Sequence, residues 1–126
     1  MGFEAVGREA RGTMLLRGIL DACLLALIAE RERYGYELGL ALEQAGLPIV
    51  KQGSIYPLLA RLEGRGHLES YRTPSAGGPP RRYYRITPEG RHELAGACEV
   101  WREVAAGVDA VIARDRSIPP GGGVDG

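Results

Sequence analysis

The sequence predicts a mainly α-helical fold carrying one small β-hairpin. Apolar residues recur at helical spacing in three consecutive segments before Gly66. The period then changes to short runs rich in Tyr, Ile and Thr on either side of a proline and glycine cluster. Beyond that cluster an apolar repeat is sustained for about three heptads. The 126 residues suffice for one modest core, and so for a single domain.

Residues 1–12 carry little apolar pattern and are expected to form a flexible arm. The first helix is expected from Thr13, a reasonable N-cap, to Arg31. Its apolar stripe (Leu15, Leu16, Ile19, Leu20, Cys23, Leu24, Leu27, Ile28) is too wide to be covered from one side, which hints at a partner subunit. A second helix fits from Tyr34 or Gly35 to Ala45, with Leu38, Leu42 and Ala45 inward and Gly46 as its stop. The third runs from Gly53 or Ser54 to Arg65, closed by Gly66 and buried through Ile55, Leu58, Leu59 and Leu62. With Ser54 as N-cap, Pro57 falls at the third helical position and costs little; an earlier start would force a kink.

Two strands are expected at Leu68–Thr73 and Arg81–Ile86, joined by an irregular loop, Pro74 to Pro80. Thr87-Pro88-Glu89 then opens a helix: a hydroxyl cap, a proline at the first position and an acid in the first turn. Leu94, Cys98, Trp101, Ala105, Val108 and Ile112 follow at alternating steps of four and three, a seam suited to pairing with a second copy. The expected organisation is an arm (1–12), a winged helix-turn-helix (13–86), a C-terminal dimerisation helix (87–114) and a disordered tail (115–126).

Charge is distributed unevenly behind a formal net charge of zero. From Pro48 to His92 eight basic residues stand against three acidic ones, and the flanks carry the compensating excess of acid. Such asymmetry points to a localised polyanion-binding face. On the third helix, Ser54, Tyr56, Arg61 and Arg65 lie opposite the apolar side, with Lys51 and Gln52 just before them. Residues at the N-terminal end of a helix of this kind reach base edges in the major groove. Arg72, Arg81 and Arg82 on the hairpin are placed to meet phosphates or an adjacent minor groove. Candidate DNA-binding residues are therefore Lys51, Gln52, Ser54, Tyr56, Arg61, Arg65, Arg72, Arg81 and Arg82.

Other classes find little support. No phosphate-cradling glycine loop with its lysine, nucleophile elbow or His-Glu metal motif is present, and His92-Glu93 reads as a surface polar pair, so an enzyme is not expected. Cys23 and Cys98 lie on apolar stripes without further ligands, which predicts buried thiols and neither metal nor cofactor. The longest apolar stretch, Leu15 to Ala29, is broken by Arg17, Gly18 and Asp21 and falls short of the roughly 18 residues a membrane span needs. With no basic leader pattern at the start, the expected location is the cytoplasm. A dimeric winged helix that binds protein instead of DNA is the competing reading, although it would have little physical reason to gather these arginines.

Three motifs narrow the choice. Gly53–Gly66 (GSIYPLLARLEGRG) closely resembles the recognition-helix signature of the PadR family of transcriptional regulators. Arg81–Gly90 (RRYYRITPEG) is similar to that family's second wing strand and the entry to its last helix, and Tyr34–Leu38 (YGYEL) to its second-helix opening. The likeness spans Leu15 to Ile112. It implies a homodimeric repressor of the compact subgroup, with one short C-terminal helix exchanging contacts between subunits. It also implies a near-palindromic operator, often upstream of the regulator's own gene, and release on sensing a small molecule. Tyr56 matches the family's conserved recognition-helix tyrosine, whose hydroxyl can contact the DNA backbone. The Gly/Pro content of the wing loop departs from the family pattern. Trp101 has two readings: an anchor filling the dimer core, or, as in multidrug-sensing members, a ring on which flat aromatic ligands stack between subunits.

Overall fold

The computed structural model describes residues 11–12, 14–47 and 52–119. Arg11 and Gly12 are already helical, as are residues 14–16, so helical backbone does not wait for Thr13, which lies outside the described residues. A turn over residues 17–19 follows, closed by the Ile19 N–H donating to the Leu16 carbonyl at 2.9 Å. The single helix expected over Thr13–Arg31 is therefore broken near Gly18, the residue with the weakest helix propensity in the stretch. Its main segment is α1, Leu20–Glu30.

The remaining elements are β1 (Arg33–Tyr34), α2 (Gly35–Gln44), α3 (Gln52–Gly64), β2 (Leu68–Ser75), β3 (Gly78–Ile86) and α4 (Pro88–Ile112). α2 and α3 end alike. Gly66 adopts a φ of 81°, its N–H donates to the Glu63 carbonyl, and the His67 N–H donates to Leu62. This paired bonding satisfies the last carbonyls of α3, and only glycine enters that backbone region without strain. α3 starts before Ser54, so Pro57 lies inside the helix, where its missing N–H removes one rung of the backbone ladder.

The strands form one antiparallel sheet in the order β1-β3-β2. β1 escapes the sequence pattern, because two residues are too few to show alternation. Its buried Arg33 acts as a cap: the guanidinium donates to the Leu27 carbonyl at the end of α1 and pairs with Glu30 at 2.8 Å. The hairpin also corrects the expectation of a long irregular loop. Only Ala76 and Gly77 separate the strands, with Gly77 at a φ of 74°. Thr73 pairs with Arg81 and Ser75 with Gly78, which sets Pro74 opposite both Pro79 and Pro80. That bulge admits three residues that cannot donate to the ladder.

The core gathers Leu24, Leu25 and Ile28 of α1, Leu38 and Leu42 of α2, Ile55, Leu59 and Leu62 of α3, and Leu68 and Tyr84 of the sheet. α4 leaves this body at one end. Thr87 caps it by accepting from the Gly90 N–H (3.0 Å) while donating its own hydroxyl to the Gly66 carbonyl (2.6 Å). Turns continue to Ile118, so hydrogen-bonded backbone extends past the expected start of the tail at 115; residues 1–10 and 120–126 lie outside the described residues. No described helix is long and apolar enough to cross a membrane.

Candidate nucleic-acid interface

α3 buries Ile55, Leu59 and Leu62 and turns Gly53, Pro57, Ala60 and Gly64 outward. That outer ridge is low, so the helix backbone can approach a groove closely. Tyr56 flanks it on one side and Arg61 on the other, about 140° apart at 100° per residue. The polar residues read from sequence as one face thus belong to two flanks.

On the first flank the ring of Tyr56 lies against Gly35, the first residue of α2. A Cβ on Gly35 would stand 2.5 Å from the ring edge, so glycine here is what lets the tyrosine come this close. Tyr56 then lines an open cleft of about 520 Å³ with Tyr34, Gly35, Tyr84, Arg81, Arg82 and the hairpin tip, residues 75–80. The start of α2, the recognition helix and the wing meet here.

Arg81 and Arg82 both border this cleft, but as neighbours on a strand they send their side chains to opposite faces of the sheet. Arg81 lies 4.6 Å over the ring of Tyr34, which in turn contacts Tyr83 edge-on. Tyr83 stacks on Tyr71, whose hydroxyl donates to Glu32, and the Arg85 guanidinium lies 5.0 Å from the centre of the Tyr71 ring. This aromatic ladder stiffens the base of the wing. Arg82 takes the inner face and donates to Ser70 Oγ at 2.8 Å, while Ser70 donates to Glu63 Oε2 at 2.7 Å. Burial pushes the Tyr84 phenol above its usual range; Arg82 opposes this, and Glu63 and Tyr56 add to it.

The second flank is used differently. Arg61 donates to both carboxylate oxygens of Asp21 on α1, at 2.9 and 2.8 Å. In the single protomer this candidate contact thus bridges α3 to α1 through an exposed ion pair. Ser54, Arg65 and Arg72 are exposed, while Lys51 and the side chain of Gln52 lie outside the described residues. Glu63, Ser70 and Tyr84 join the arrangement around Arg82 although none is a candidate contact from the sequence; Glu63 and Tyr84 fall within the two longer motifs, and Ser70 lies outside all three. The available signal is periodicity: Ser70 stands two residues from Leu68 and so shares its inward face.

α4 presents Val100, Trp101, Val104, Val108, Val111 and Ile112 to solvent, each at least 44% exposed in the single protomer. The early part of the predicted seam is already partly covered. Leu94 packs on the core, and Cys98 is half-buried where α4 meets α1. Burial pushes the Cys23 thiol up, and Cys98 raises it further. A raised thiol holds less thiolate at a given pH, so Cys23 should alkylate at pH 8 more slowly than an unstructured cysteine. Alkylation at the unstructured rate would place it in open solvent. Among the described residues no three His, Cys, Asp or Glu are grouped to hold a metal ion.

Three helices, the third open to solvent, with a stiffened hairpin standing beside it, define a winged helix-turn-helix. Residues 24–96 match the transcriptional regulator PadR-like family. "Uncharacterized protein X" of Lysinibacillus sphaericus is 34% identical over 97 residues, 75% of this chain and 89% of that one. Crystal structures agree. A PadR-like transcriptional regulator from Bacillus cereus superposes with a TM-score of 0.71 at 37% identity, covering 79% of this chain and 96% of that one. A PadR family regulator from Eggerthella lenta gives 0.78 at 31% identity, covering 91% and 99%. The chain belongs to the PadR-like family of transcriptional regulators, DNA-binding proteins rather than enzymes.

Proposed function

We propose that this chain is a homodimeric repressor that binds a near-palindromic operator and leaves it on meeting a small ligand. The observation that carries the reading is the cleft where Tyr56 of α3, Arg82 and the tip of the wing meet at the start of α2. A duplex whose major groove receives α3 would bring its backbone past that cleft. Pairing is supported by the apolar residues on α4, whose exposure to water costs free energy that burial against a partner would recover. A dimer sets two recognition helices about 34–36 Å apart, one turn of the duplex. Trp101 is 51% exposed in one protomer, so a partner subunit or a flat aromatic ligand would cover the same face.

The test is a gel shift on the DNA upstream of the regulator's own reading frame, over a range of salt. Affinity should fall steeply with salt as arginines displace counterions from phosphates. Tyr56→Ala should weaken binding at least about tenfold, the scale of a lost hydrogen bond to a charged group. Arg61→Ala should cost much less, because Arg61 lies on the flank away from the cleft and would have to leave Asp21 to meet a phosphate. A reversed ranking would place the contact face on the α1 flank. Salt-insensitive behaviour would favour a protein-interaction module.

A further inference from the structure

We infer that Glu63 and Ser70 are positioning residues that aim Arg82 at a single DNA backbone phosphate entering the cleft, an inference that rests on the DNA-binding reading above. Ser70 has one hydroxyl proton. A carboxylate can only accept, so at 2.7 Å from Glu63 Oε2 that proton is committed to Glu63. The lone pairs of Ser70 Oγ are left to receive Arg82 Nη1 at 2.8 Å. The order of donors therefore runs one way, from β3 through β2 to the recognition helix.

This arrangement explains an acid on an otherwise basic face. A carboxylate beside a phosphate would repel it if it acted directly. Among the described residues Glu63 makes no ion pair with an arginine. It acts through a neutral hydroxyl, and the arginine keeps its charge for the ligand. Only one guanidinium nitrogen is used by Ser70, and the rest of the fork stays available to an anion. Arg82 itself is exposed, so without the relay it would sample many rotamers and lose that freedom on binding. Tyr84, opposite Ser70 in the register, keeps its proton and adds no second negative charge.

The experiment is a double-mutant cycle with two duplexes, the upstream DNA and a random sequence of equal length, since a phosphate contact serves both. Ser70→Ala should weaken both by about threefold to tenfold, the cost of ordering one long side chain on binding. Ser70→Thr, which keeps the hydroxyl, should restore affinity. Arg82→Ala should weaken both further and flatten the log–log salt dependence by about 0.9 for each phosphate that is no longer neutralised. With Arg82 already replaced, Ser70→Ala should add nothing. An equal loss in both backgrounds, no loss at all, or failure of threonine to rescue would overturn the relay. If the unaltered protein binds neither duplex, the DNA-binding reading falls and the relay with it.

Discussion

Val108→Glu should convert the proposed dimer to a folded monomer at micromolar concentration. Val108 is 50% exposed in the single protomer and contributes nothing to the internal core, so the protomer can carry the substitution. In a twofold dimer the same surface meets itself, and one substitution places two carboxylates in one seam. An uncompensated buried charge costs about 3–5 kcal/mol, enough to raise a dissociation constant by two to four orders of magnitude. Light scattering coupled to size exclusion reads the mass directly, and circular dichroism checks that the helices remain. A variant that still runs as a dimer would move the interface off this face of α4. Operator affinity should collapse in parallel, because a lone half-site contact loses the effective concentration supplied by its partner.

The fold was legible wherever hydrophobic periodicity and punctuation agreed. Gly46 and Gly66 end helices as read, and Thr87-Pro88-Glu89 opens α4, because caps and stops depend on local backbone chemistry. Legibility failed where a long-range contact overrode a local preference. Pro74, Pro79 and Pro80 read as a loop, yet a bulge lets the strands run through them. Pro57 suggested a helix starting at Ser54, and α3 nevertheless begins earlier. The site was legible by composition more than by role. Tyr56 and Arg82 share the cleft, whereas Arg61 finds a partner 40 residues away that no spacing rule announces. Arg81 and Arg82, adjacent in sequence and read together, part to opposite faces for the same reason that Ser70 joins Leu68.

The second large effect is expected at Gly90. Gly90→Ala should destabilise the protein by about 1–3 kcal/mol, the range for forcing extra volume into a packed site, and lower its melting temperature by several degrees. A Cβ on Gly90 would collide with the carbonyl of His67 and come within 2.8 Å of Ile86 Cγ1. A flexible side chain could swing away, but this carbonyl is backbone, held in the turn that ends α3 and accepting from the Thr87 N–H at 3.1 Å. The strain must therefore move α4. Because α4 is 25 residues long, about 37 Å at 1.5 Å per residue, a small tilt at its root becomes a large displacement along the proposed dimer seam. Operator affinity measured well below the melting temperature should fall further than the loss of folded protein accounts for. Wild-type stability with wild-type affinity would show that the root of α4 can relax, and that it does not fix the angle between the DNA-binding body and its partner.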